Sequence, residues 1–234
     1  MKHAELRERV CRVNKELAES GLVVLTWGNA SGLDREAGLV AIKPSGVDYD
    51  RMGPEDIVII ELETGDVVAG EMRPSSDTPT HLELYREFDS PGGIVHTHSS
   101  AATAWAQAGR PIPCMGTTHA DHFWGEVPVT RQLSQREIEV AYEENSGRVI
   151  VEHFRENGLK PDEMPAVLLP GHGPFTWGED AQDAMENALA LEEVAATALR
   201  TFLVNPEADP LPRRLLDKHF LRKHGTDAYY GQEE

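Results

Sequence analysis

Cysteine is nearly absent: only Cys11 and Cys114 occur in 234 residues. Two thiols cannot supply the disulfide framework of a small secreted fold. Basic residues are scarce as well, with 22 Lys and Arg against 40 Asp and Glu and a formal net charge of −18. So few cations leave no stripe with which to displace counterions from a phosphate backbone. An anionic membrane surface would repel the chain for the same reason. Neither nucleic acid nor membrane is therefore an expected partner. A small phosphorylated molecule is not excluded, because one positive pocket can exist within a negative field. No apolar run approaches the length that spans a bilayer. Met1-Lys2-His3 opens a polar amphipathic stretch, not a secretion signal. The expected setting is cytoplasmic and reducing. Ser/Gly/Pro-rich linkers and internal repeats are missing too, so residues 1–234 read as one domain. Phosphate-loop and dinucleotide fingerprints are also lacking, which argues against a nucleotide cofactor.

What is present centres on Ile94-Val95-His96-Thr97-His98, an apolar run that ends in two histidines spaced i, i+2. On a strand these side chains share a face. Two imidazoles turned into one hollow are half of a tetrahedral zinc-type site. His172, in Pro170-Gly171-His172-Gly173, is a third candidate ligand, and Asp77 is a carboxylate candidate.

Around this core the pattern alternates between helices and short strands. Leu6, Val10, Val13 and Leu17 keep helical spacing to about Ser20, with Gly21 as a C-cap. Strands are expected at Leu22–Thr26 and Leu39–Ile42, and a hairpin at Asp56–Leu62 and Asp66–Ala69. Thr78-Pro79 reads as a helix start, with Thr78 as N-cap. A helix follows the histidine strand to about Gln107. Ser134-x-x-Glu137 is a capping box that opens another, and a further helical stretch is expected at Gly147–Asn157. Short strands flank His172. The longest helix is expected from Asp180 to about Leu203, and a last one over Leu211–His224. Strands inside and helices outside predict a layered α/β domain. Three loops rich in small polar residues suit an anion: Thr26–Ser31, Lys43–Gly46 and Pro74–Asp77.

The motifs LTWGNASGLDRE, IKPSGVDY, PSSDTPTH, GGIVHTHS, GTTHAD, GHGPFTWG and LLDKHFLRKHGTDAYYGQ, taken in order, resemble the class II aldolase/adducin family, and most nearly its epimerase members. The resemblance extends from about Leu22 to Gln232. It implies a central, mostly antiparallel sheet flanked by helices. It also implies a homotetramer with active sites between subunits, the tail from about residue 226 to 234 completing a neighbour's site. By resemblance, Asp77, His96, His98 and His172 are metal ligands, for Zn²⁺ or else Mn²⁺ or Co²⁺. Gly28, Asn29, Ser45, Gly46, Ser75 and Ser76 match the substrate-phosphate region, and Lys43 a substrate-contacting lysine. Asp121 and Tyr230 match an acid/base pair, with His219 and Glu143 assisting. The implied reaction inverts C4 of L-ribulose 5-phosphate to give D-xylulose 5-phosphate, by breaking and re-forming the C3–C4 bond. The rival expectations are an aldolase acting on L-fuculose or L-rhamnulose 1-phosphate, whose members tend to carry Glu at the place of Asp77, and a non-catalytic adducin-like module. Two positions depart from the family pattern. Gly171 stands where a more polar residue is expected, and His122 where an aromatic is expected.

Overall fold

The computed structural model describes residues 3–229. Tyr230, proposed from the sequence as an acid/base group, lies outside them. One sheet of seven strands has the order β4-β3-β2-β1-β5-β7-β6. Its members are β1 (Gly28–Asp34), β2 (Leu39–Ile42), β3 (Val58–Glu61), β4 (Val67–Ala69), β5 (Gly93–Thr97), β6 (Ala166–Leu169) and β7 (Gly173–Gly178). Each neighbouring pair is antiparallel.

Seven helices among the described residues surround the sheet: α1 (Ala4–Glu19), α2 (Thr78–Glu87), α3 (Ser100–Gln107), α4 (Thr117–Ala120), α5 (Gln135–Asn157), α6 (Ala181–Val204) and α7 (Arg213–His224). The result is the layered α/β domain expected from the sequence. Among the described residues no helix is long and apolar enough to cross a membrane. Both cysteines are buried and unpaired.

Strand alternation sorts the core into two layers. Val40, Ile42, Val58, Ile60 and Ile94 pack with Leu82 and Tyr85 of α2 and Val149 and Phe154 of α5. On the opposite face, Ala30 and Val95 meet Val13 and Leu17 of α1 and Ala184 and Ala188 of α6. Ala41 and Ile59 meet Leu6 and Val10 of α1. His96 shares the parity of Ile94, so its side chain faces the α2/α5 layer.

The strand expected at Leu22–Thr26 is instead a loop, and the first strand starts at Gly28. The residues of β1, Gly-Asn-Ala-Ser-Gly-Leu-Asp, lack the branched and aromatic signal of a strand. Packing requires them to be small. A Cβ on Gly32 would stand 2.9 Å from Val10 Cγ2, and one on Gly28 2.8 Å from the His96 carbonyl oxygen. Where β2 diverges, the buried Asn14 side chain of α1 takes over the ladder. Its amide donates to the Ala30 carbonyl at 2.9 Å, and its oxygen accepts from the Ala30 N–H at 2.8 Å.

The helix expected from the capping box and the one expected at Gly147–Asn157 join as α5, interrupted at Ala141 (φ −158°, ψ 71°). The capping box itself forms at Ser134 and Glu137. The cap of α2 falls on Asp77, one residue before the expected Thr78.

Candidate metal centre and substrate cavity

His96 lies in the middle of the sheet, opposite Asn29 of β1 and Phe175 of β7. Its Nδ1 is 2.9 Å from the Pro174 carbonyl oxygen. A carbonyl only accepts, so Nδ1 carries the proton and donates, which leaves a lone pair on Nε2. The ring is stacked on Phe175, with centroids 4.3 Å apart and planes 19° apart. His98 follows just beyond β5, its Nε2 3.1 Å from that of His96.

His172 comes from the turn between β6 and β7. Gly171 adopts φ +70° there, in the left-handed region that a larger, more polar residue would resist. Gly173 must also lack a side chain, since a Cβ would stand 2.6 Å from the Thr97 carbonyl oxygen. The turn brings the His172 ring within 4.7 Å of His96 and 5.0 Å of His98, centroid to centroid.

One ligand atom from each of the three histidines falls within 4.8 Å of the others. Burial, then the neighbouring His96, pulls His172 down to about 4, and burial also lowers His98. Both rings are therefore neutral and able to ligate near pH 7.

Asp77 lines the same cavity. Although it is the N-cap of α2, its side chain makes no capping bond. Instead Oδ2 accepts from Asn29 Nδ2 at 2.7 Å. Burial pushes the Asp77 pKa upward, but His96, His81, the Asn29 hydrogen bond and His172 outweigh it and hold the carboxyl below its usual range. Three imidazole nitrogens beside one carboxylate are a donor set that fits a divalent cation of the Zn²⁺ type.

The cavity measures about 550 Å³. Away from the histidines it is lined by Gly28, Asn29, Lys43, Ser45, Gly46, Ser75 and Ser76. The residues that the resemblance places at a substrate phosphate thus all line this cavity. Lys43 is only 2% exposed. Its Nζ donates to the Pro44 carbonyl at 3.2 Å and stands 4.7 Å from the centre of the Tyr49 ring. Burial lowers its pKa to about 8.

Glu143 also lines the cavity. So does its neighbour Tyr142, which the sequence did not single out. The Tyr142 hydroxyl is 3.3 Å from His172 Nδ1. Both residues follow the break at Ala141, and no periodicity announces that break. Trp27, from the loop before β1, adds a half-exposed aromatic wall.

Asp121 and His219 are brought together, but not into this cavity. Asp121 Oδ1 lies 3.0 Å from His219 Nδ1, and Arg222 donates to the carboxylate at 3.1 and 2.8 Å. His224 Nε2 donates to the Asp121 carbonyl at 2.9 Å. Burial acts to raise the Asp121 pKa, but Arg222 and His219 overcome it and keep the group ionised below the usual range. His122, the second departure from the family pattern, is lowered first by burial and next by Lys223. The helix α7 thus joins two sequence motifs 98 residues apart.

Among solved structures, the chain is similar to an L-fuculose 1-phosphate aldolase at 27% identity and a TM-score of 0.77, over 92% of this chain and 94% of that one. An l-fuculose-1-phosphate aldolase from Thermus thermophilus matches at 26% identity and a TM-score of 0.66, over 89% of this chain and 100% of that one. A putative aldolase/epimerase/decarboxylase from Klebsiella pneumoniae shares the fold at 24% identity and a TM-score of 0.72, over 92% and 97%. Residues 8–199 match the model of the class II aldolase and adducin N-terminal domain. With the histidine cluster and the polar cavity wall in place, the chain belongs to the class II aldolase and adducin family.

Proposed function

We propose that this protein is a metal-dependent epimerase that inverts C4 of L-ribulose 5-phosphate to give D-xylulose 5-phosphate. The observation that carries this reading is the contact between Asp121 and His219. An aldolase needs a proton carrier beside its metal. An epimerase needs carriers on both faces of an aldehyde, and a separate carboxylate–histidine pair next to the chain end suits the second requirement.

His96, His98, His172 and Asp77 would hold the cation, and Zn²⁺ suits them, with Mn²⁺ or Co²⁺ as substitutes. When bound, the cation supplies Lewis acidity toward a ketose carbonyl. Lys43 gives the phosphate a positive charge, and the Ser45, Ser75 and Ser76 hydroxyls and the backbone at Gly28 and Gly46 give it hydrogen bonds. Asn29 holds Asp77 as a ligand rather than a base, because its amide already engages Oδ2.

Asp121, positioned by His219, and Tyr230 exchange the C4 hydroxyl proton on opposite faces, and Glu143 assists at the mouth. As that proton leaves, the C3–C4 bond breaks and a two-carbon aldehyde phosphate separates from a three-carbon fragment. The aldehyde turns over, the bond re-forms on its other face, and the proton returns. Asp121 lies outside its own cavity, so this assignment includes a homotetramer with sites between subunits, in which one subunit's tail brings Tyr230 to a neighbour's Asp121.

NMR of L-ribulose 5-phosphate incubated with the zinc-loaded protein tests the reading; new D-xylulose 5-phosphate signals are expected. The second reading is an aldolase for a deoxyketose 1-phosphate, favoured by the 27% identity to an L-fuculose 1-phosphate aldolase. Release of dihydroxyacetone phosphate and lactaldehyde from L-fuculose 1-phosphate, without conversion of the pentose, would decide for it.

A further inference from the structure

Behind the cavity lies a buried polar chain that the proposed reaction does not use. His81 of α2 is fully buried, and its Nδ1 is 2.8 Å from Ser31 Oγ. The same Ser31 oxygen is 2.8 Å from the hydroxyl of Tyr85, also fully buried. The other nitrogen, His81 Nε2, has no partner among the described residues.

Counting protons gives the direction of this chain. Ser31 Oγ is the Tyr85 hydroxyl's only acceptor among the described residues. If Tyr85 donates to Ser31, then Ser31 donates to His81 Nδ1, and the proton of the neutral imidazole sits on Nε2. The reverse order leaves two buried groups unpaired, the Tyr85 hydroxyl proton and the Nε2 lone pair. The forward order leaves one. Each unpaired buried group is costly, so the forward order prevails.

The single N–H left over has one anion near it. His81 lies four residues after Asp77, one helical turn on, and its backbone N–H donates to the Asp77 carbonyl at 3.1 Å. Its ring also meets Phe175 edge-on at 5.9 Å, the same Phe175 on which His96 is stacked.

We infer that His81 is a positioning residue for the metal centre, held by Tyr85 and Ser31 as the Nε2–H tautomer so that it donates to the Asp77 carboxylate through one buried water. Asn29 holds Asp77 from the β1 side, and His81 holds it from within α2. Two donors on one carboxylate fix the direction in which its free lone pairs face, which is how groups behind a ligand tune a metal site. The inference rests on the proposed metal centre for its purpose, but its tautomer is a property of the metal-free protein.

The test has two arms. The first is NMR of [¹⁵N]histidine-labelled, metal-free protein. The His81 signals should be those of a neutral ring protonated at Nε2, and Ser31→Ala should weaken that preference. A ring protonated at Nδ1 overturns the inference. The second arm is zinc titration of the unaltered protein and of His81→Gln, His81→Asn and His81→Phe. Gln places an amide N–H close to the Nε2 position, whereas Asn places it near Nδ1 and Phe offers none. Zinc should bind about tenfold to a hundredfold more weakly to the Asn and Phe variants, and Gln should recover most of that loss. Equal loss in Gln and Asn means that His81 acts through packing alone and overturns the inference. If the unaltered protein binds no zinc, the metal reading itself fails, while the NMR arm still decides the tautomer.

Discussion

His96 Nε2 and His98 Nε2 stand 3.1 Å apart, and His96 cannot supply the proton for that contact, because its own is committed to the Pro174 carbonyl. A lone pair fixed on a central strand is a preformed ligand. Chelation should therefore abolish turnover and leave the far-UV circular dichroism unchanged, since β5 is paired on both sides whatever its side chains hold. His98→Asn should weaken zinc binding by at least about tenfold, measured by competition with a chromophoric chelator. Full turnover by metal-free protein would refute the metal centre.

Lys43 gives a pH signature. Burial lowers its pKa to about 8. Lysine is the cationic form below its pKa, so the charge that meets a phosphate is present at neutral pH and is lost as pH rises through about 8. KM for the phosphorylated ketose should climb over that range. Lys43→Met should raise KM by about tenfold to a hundredfold at pH 7, the worth of one charge-assisted hydrogen bond of about 1.5–3 kcal/mol. It should also abolish the alkaline rise. Steady-state kinetics from pH 6.5 to 9 (a range set around that lysine pKa) would show both effects.

That His96, His98, His172 and the small polar loops meet around one cavity was legible in the sequence. His96 lies on β5 and His98 just beyond its end, and Ser75, Ser76 and Asp77 lie in one turn before α2. The first strand was not legible. Ala30 and Gly32 leave room for α1, and Gly28 for Val23 and the His96 carbonyl, so the usual strand signal is missing there. Tyr142 was missed for a related reason: a backbone break at Ala141, not a motif, turns it toward His172. The direction of the Tyr85–Ser31–His81 chain needs proton counting in three dimensions, and no spacing rule contains it.

Gly93 is a packing glycine at the start of the histidine strand. In the structure Gly93 begins β5, and an added Cβ would fall on the backbone of Asp180 and Ala181, at the start of α6. Backbone cannot rotate aside. Gly93→Ala should cost about 1–3 kcal/mol or more in urea unfolding and weaken zinc binding, because the strand that carries His96 must shift. Gly116→Ala is the control: nothing lies within 4 Å of its Cβ position, so its effect should stay within about 0.5 kcal/mol.

The last prediction concerns which subunit completes which site. Asp121 is fastened to His219 and Arg222, away from the cavity of its own chain. If Asp121 and Tyr230 are the two acid/base groups, Asp121→Asn and Tyr230→Phe should each lower kcat by at least about a hundredfold, with zinc content unchanged. In a closed ring of identical interfaces, each subunit gives its tail to one neighbour and receives another's. Equal amounts of the two variants, unfolded and reassembled together, then create some interfaces where an intact Tyr230 meets an intact Asp121. With random assembly that holds for about a quarter of the interfaces, so the mixture should regain up to about a quarter of the unaltered activity. Each variant reassembled alone should stay near its own low rate. Mixed tetramers identified by native mass spectrometry, yet no more active than the separate variants, would show that Tyr230 serves its own subunit or takes no part in proton transfer.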